Sequence, residues 1–78
     1  MITPAQCRMA RAGLGWNEAQ LARAADVGLS TVNRFEIGKV RTQPEIVEAI
    51  QRALEAAGVV FLANGDGPGV KLHKDRIG

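Results

Sequence analysis

Between Leu29 and Thr42 the chain gathers Ser30, Thr31, Asn33 and Arg34, followed by Lys39, Arg41 and Thr42. Hydroxyl, amide and guanidinium groups on a rigid exposed helix are what direct reading of base edges requires, because each base pair shows its own pattern of donors and acceptors in the major groove. Arg34, Lys39 and Arg41 add positive charge of the kind that neutralises phosphates, interrupted only by Glu36. Taken alone, such a basic loop is equally well a solvated one; the adjacent helix tips the reading toward nucleic acid. Other chemistries find few residues. Cys7, the one cysteine, falls on the apolar stripe of a predicted helix, the ordinary place of a small buried hydrophobe, and the one histidine, His73, has no second histidine, cysteine or acid cluster beside it. No nucleophile is positioned with a base. The expectation is no enzyme, no metal site, no cofactor and no small-molecule pocket.

The elements that must carry those side chains belong to one domain. At 78 residues a single core is only marginally sufficient, so a dimer is expected on size alone. Hydrophobic residues make up 46% and charged ones 23%, a globular balance, and no apolar run approaches the roughly 18 residues of a membrane span. Met1-Ile2-Thr3-Pro4 lacks the basic and apolar regions of a secretory signal, which places the chain in the cytoplasm with no membrane partner. A net charge of +2 is weak support for nucleic acid by itself; its distribution carries that argument.

Thr3-Pro4 ahead of an alanine-rich segment marks a helix start: the threonine hydroxyl can accept a first-turn N–H, and proline at the first helical position loses no bond. This helix is predicted to reach about Ala12, with Ala5, Cys7, Met9, Ala10 and Leu14 on its apolar side and Gly13 and Gly15 ending it. Asn17-Glu18-Ala19-Gln20 fits a capping box, flanked by Trp16 and Leu21 as a hydrophobic staple, so the tryptophan is read as a core residue before a ligand contact. A second helix then runs to about Ala25. Asp26-Val27-Gly28 is a tight turn. From Leu29 a third helix can bury Val32 and Phe35 against Ala22 and Val27, leaving Ser30, Thr31, Asn33 and Arg34 outward.

Gln20-Leu21-Ala22, the turn with Val27, Leu29-Ser30-Thr31-Val32 and Phe35-Glu36-Ile37-Gly38 resemble the helix-turn-helix of the Cro and lambda-repressor-like transcriptional regulators, also called the xenobiotic-response-element family, over residues 3–57. The resemblance implies that Leu29, Ser30, Asn33 and Arg34 face bases, and that the start of the second helix, Asn17 and Glu18, lies where a phosphate is gripped. That grip is commonly a glutamine. Glu18 repels a phosphate, which shifts the contact to Asn17, the helix N-terminus or Arg23. Asp26 stands where glycine is common, and Leu29 is suited to a thymine methyl. Lys39, Arg41 and Thr42 should lie over the DNA backbone, with Thr31 another phosphate contact. Arg11 and Glu36 match a pair that joins the first helix to the end of the recognition helix, an arginine fork on a carboxylate; the bland alternative is two separately solvated charges.

Thr42-Gln43-Pro44-Glu45 reads as a second capping box opening a fourth helix. Ile46, Val47, Ile50, Ala53, Leu54 and Ala57 form its apolar stripe, Glu45, Glu48, Gln51, Arg52 and Glu55 its outer side, and Gly58 its stop. Val59-Val60-Phe61-Leu62, turn residues from Asn64 to Gly69, and Val70-Lys71-Leu72-His73-Lys74 predict a β-hairpin, with Asp75 to Gly78 a frayed tail. An isolated hairpin is marginal in water, and its open edge suits pairing with a second copy through Val59, Val60, Phe61, Leu62, Val70 and Leu72. The expected fold is therefore mostly α: a lambda-repressor-like four-helix DNA-binding domain over residues 1–57, then a C-terminal β-hairpin and tail over 58–78. The expected function is a sequence-specific double-stranded DNA-binding transcriptional regulator, a repressor, binding a pseudo-palindromic operator as a homodimer. The alternative is a protein-interaction module, such as an antitoxin or regulatory partner, that binds another protein through the hairpin edge or the fourth-helix face.

Overall fold

Local capping chemistry sets the first two helices. In this computed structural model, which describes residues 1–39, 41–64 and 67–72, α1 spans Pro4–Leu14. Thr3 Oγ1 accepts the Gln6 N–H at 3.1 Å while Gln6 Oε1 accepts the Thr3 N–H at 2.9 Å, a reciprocal capping box in front of Pro4. The helix runs two residues past the expected Ala12 because Gly13 stays helical. Gly15 alone turns left-handed, at φ 71°, and its N–H bonds Ala12 O while that of Trp16 reaches Arg11 O. Helix α2, Glu18–Ala25, opens on the matching box: Asn17 Oδ1 accepts from Gln20 N–H and Gln20 Oε1 from Asn17 N–H, both at 2.8 Å. It stops on Asp26, held left-handed at φ 58°, with the Val27 N–H returning to Ala22 O at 3.0 Å.

Helix α3, Leu29–Ile37, follows after the three-residue turn and ends on left-handed Gly38. Helix α4, Pro44–Ala56, does not open on the expected capping box. Gln43 is the cap residue and makes no side-chain cap bond, and Thr42 lies one position outside. Pro44 fixes this frame: a proline takes the first helical position, so the residue before it becomes the cap. Gly58, at φ 105°, then turns the chain into β1, Val59–Asn64. Its partner β2, Gly67–Leu72, pairs antiparallel from Val59↔Leu72 to Asn64↔Gly67. Pro68 and Gly69, read as turn residues, belong to this strand. The expected continuation through His73 and Lys74, and the tail from Asp75, lie outside the described residues.

Leu21, Ile50, Leu54, Val32 and Cys7 are fully buried at the centre, ringed by Ile2, Ala10, Ala22, Phe35, Val47 and Val59. Each large aliphatic side chain withdrawn from water in this way contributes on the order of 1.5–3 kcal/mol. Trp16 and Val27 are half-buried against the cluster, whereas Met9 is exposed and does not join it. Val59 is only 2% exposed, so its side chain belongs to the chain's own core and is unavailable to a second copy. Phe61 and Val70, paired across the hairpin, pack on the same core. The hairpin is thus docked, not isolated. Gln6 fastens it: this buried amide donates through Nε2 to Leu62 O at 3.2 Å and Gly69 O at 3.3 Å, two carbonyls at one paired position of the two strands.

Candidate nucleic-acid interface

At about 3.6 residues per turn, α3 divides into two sides. Val32, Phe35 and Glu36 are buried; Leu29, Ser30, Asn33, Arg34 and Ile37 are exposed, with Thr31 intermediate. The turn Asp26-Val27-Gly28 fixes the attitude of this helix against α2. Its left-handed Asp26 reverses the chain, and Val27 packs inward on the core. Leu29, 51% exposed at the start of the helix, presents an apolar side chain beside the hydroxyl of Ser30.

The inner edge of α3 is tied to α1 through one residue. Arg11 donates from Nε to Glu36 Oε2 at 2.8 Å and from Nη2 to Oε1 at 2.9 Å, a bidentate fork on a carboxylate that is 4% exposed. The buried Cys7 thiol donates to Oε2 at 3.3 Å, Arg8 Nη1 caps the Glu36 carbonyl, and Arg11 Nη1 reaches Trp16 O at 3.0 Å. Burial alone would raise the Glu36 pKa, but the Arg11 fork and the Cys7 thiol outweigh it and hold the carboxyl below its ordinary range. Burial, reinforced by Glu36, pushes the Cys7 thiol far up, so it stays protonated as a donor. The Arg11 guanidinium is raised in turn, chiefly by its bond to Glu36. The end of α3 is therefore locked to α1 and to the loop before α2.

On the flank of α3 facing α4, Thr31, Arg34, Arg41, Thr42, Gln43 and Ile46 line an open concavity of about 400 Å³. Among the described residues, two guanidinium groups, two hydroxyls and an amide line it together with one apolar side chain, Ile46, and the first turn of α4 has no side-chain cap. Such a surface suits an anion. On the opposite flank, Asn33 Nδ2 donates to Glu18 Oε1 at 3.3 Å and Oε2 at 3.5 Å.

A family model described as a helix-turn-helix domain matches residues 5–61. The chain belongs to the helix-turn-helix domain family. No curated protein matches it. Family membership supports DNA binding and transcription regulation, and the four helices and small antiparallel sheet of the described residues are consistent with such a domain. Among the described residues, no helix is long and apolar enough to cross a membrane.

This helix-turn-helix domain gathers the residues singled out from sequence unevenly. Arg34, Arg41, Thr31 and Thr42 converge on the concavity, and Lys39 is exposed beside it in sequence. Ser30 and Leu29 lie on the outward side of α3. Asn17, the cap residue ahead of α2, and Arg23 on α2 are exposed and do not line that concavity, and the Asn17 side-chain carbonyl is already spent on its cap. Sequence reasoning did not find the roles of Gln6, Arg8 and Cys7. For Gln6 a signal existed, since Thr3-x-x-Gln6 is a capping-box spacing. Its two bonds to the hairpin strands, 56 and 63 residues away, have no local signal.

Proposed function

We infer that this domain is a sequence-specific double-stranded DNA-binding regulator of the lambda-repressor-like kind, acting in the cytoplasm as a repressor and binding a pseudo-palindromic operator as a homodimer. The observation that carries the reading is the outward side of α3: Ser30 and Arg34 have no partner among the described residues, and Arg34 stands at the rim of the cationic concavity with Arg41. Leu29, Ser30, Asn33 and Arg34 enter the major groove, Arg34 taking guanine O6 and N7. Thr31, Lys39, Arg41 and Thr42 hold phosphates on the α4 side; Asn17 and Arg23 do so on the α2 side. Repression by occupying a promoter needs no further domain.

Two copies joined through the outer face of the hairpin would set their recognition helices about 34 Å apart, one turn of B-DNA. With Val59 in the core and Phe61 and Val70 packed on it, the described side chains left to this face are Val60, half-buried, and Leu62, which is 38% exposed; the Leu72 side chain lies outside those described. Fluorescence anisotropy with mixed-sequence duplex DNA tests the reading. Binding at low salt that declines steeply as salt rises is expected; no binding, or binding indifferent to salt, sinks it. Selection from a random pool is expected to return an inverted repeat, and a lone half-site would remove the dimer.

A further inference from the structure

Among the described residues, Asn33 is the one outward side chain of α3 that is already held. Its amide nitrogen sits within hydrogen-bond reach of both oxygens of Glu18, at 3.3 Å and 3.5 Å. A carboxylate only accepts, so it attracts the N–H side of the amide and repels the carbonyl. The two ends of an asparagine amide are nearly identical in shape, and the charge of Glu18 removes the choice between them. Glu18 is itself half-buried at the first residue of α2, where the helix dipole favours an anion. Outward, Asn33 therefore offers Oδ1, an acceptor. The groups that satisfy an acceptor in the major groove are exocyclic amines, N6 of adenine and N4 of cytosine; guanine O6 and N7 and thymine O4 are acceptors themselves.

We propose that Glu18 is a positioning residue for base recognition: by holding Asn33 Nδ2 it turns Oδ1 toward the groove and sets a preference for adenine or cytosine over guanine or thymine at one position of each half-site. This rests on the DNA-regulator reading above. It also accounts for a carboxylate on a face otherwise suited to phosphate: the negative charge weakens general affinity and returns selectivity at one base.

The test uses the full chain as wild type, Glu18→Gln and Asn33→Ala. Random-pool selection first locates the position that Asn33→Ala flattens; anisotropy on four duplexes differing only there then reads the preference. Wild type is expected to favour adenine or cytosine by about tenfold, and the four duplexes say which of the two. Glutamine both donates and accepts, so in Glu18→Gln the Asn33 amide is free to flip, and the preference should collapse to about twofold or less. Affinity for mixed-sequence DNA should rise severalfold at low salt as one negative charge is lost. Glu18→Gln retaining the wild-type preference overturns the proposal, as does a wild-type preference for guanine or thymine. Equal weakening on all four duplexes also overturns it, because Glu18 would then act on the phosphate contact or on α2 alone. Failure of wild type to bind any duplex removes the DNA reading itself, a result distinct from loss of one base preference.

Discussion

On its inner side α3 carries Glu36, whose two carboxylate oxygens and backbone carbonyl all receive donors, from Arg11, Cys7 and Arg8. Two residues back, on its outer side, Arg34 has no partner among the described residues and shares a concavity with a second guanidinium, Arg41. A charge removed from water must be paired where it lies, or folding fails to recover its hydration. An exposed charge remains solvated at little cost and stays available to an outside partner. The inner ionic contacts of α3 are thus architectural, and the outer ones are left for a ligand.

The largest effect that separates the two sides is loss of the buried pair. Arg11→Ala leaves the Glu36 carboxylate buried without its fork and should cost about 3–5 kcal/mol by urea or thermal unfolding, much of the stability of a domain this size. Arg34→Ala should change stability by no more than about 0.5 kcal/mol. Similar losses in the two variants would break the comparison. The same contrast appears on titration. Because the folded pKa of Glu36 is depressed, its contribution is present above the unfolded carboxylate value and is lost as pH falls below about 4. The Cys7 thiol is raised, so its contribution holds below the unfolded value and declines once pH passes about 8.5–9. Chemical unfolding across this range should show stability falling at both ends, and Cys7→Ser should flatten the alkaline fall.

Next in size is the difference between base and phosphate contacts on the outer side. Arg34→Ala should lose about 1–3 kcal/mol of discrimination at one base pair per half-site, measured by competition between selected and altered duplexes. Arg41→Ala and Lys39→Ala should weaken all sequences about equally and lower the salt slope by about one each. The position of Arg34 beside Arg41 gives this measurement its edge. A uniform loss in Arg34→Ala would assign both arginines to phosphate and leave base reading to Ser30 and Asn33.

How far the sequence leads follows the range of the interactions. Helix ends governed by neighbours were legible: the Asn17–Gln20 box, the left-handed Gly15 and Asp26, and the exit at Gly58. Thr42 misled because threonine is a good cap, but Pro44 outranks it by fixing the first turn. The hairpin was legible from its residue types. That it docks was not, because the buried amide of Gln6 reaches it from the other end of the chain and Val59 is claimed by the core. Within the candidate site, outward polarity on α3 could be read from periodicity. The hold of Glu18 on Asn33 could not, since it depends on how α2 and α3 are set across the turn.

The smallest expected effect lies in that turn, where an exposed charge sits at a backbone position that disfavours it. Asp26 is the one non-glycine with positive φ among the described residues, and its carboxylate stands at the C-terminal, electronegative end of α2. Asparagine accepts the left-handed conformation as well as aspartate does but carries no charge, so Asp26→Asn should stabilise the fold by about 0.3–1 kcal/mol, more at low salt. Asp26→Gly also removes the left-handed strain, but it enlarges the conformational freedom of the unfolded chain, which offsets part of that gain. Its net effect should be about 0.5–1 kcal/mol, still stabilising. Both variants leave the outward side chains of α3 in place, so base preference at the Arg34 and Asn33 positions should not move. If Asp26→Asn instead lost stability while Asp26→Gly gained it, the charge would be contributing an attraction, and exposed ionic groups would help build the turn as well as serve a ligand. The division between the two sides of α3 would then hold for the helix but not for the turn that aims it.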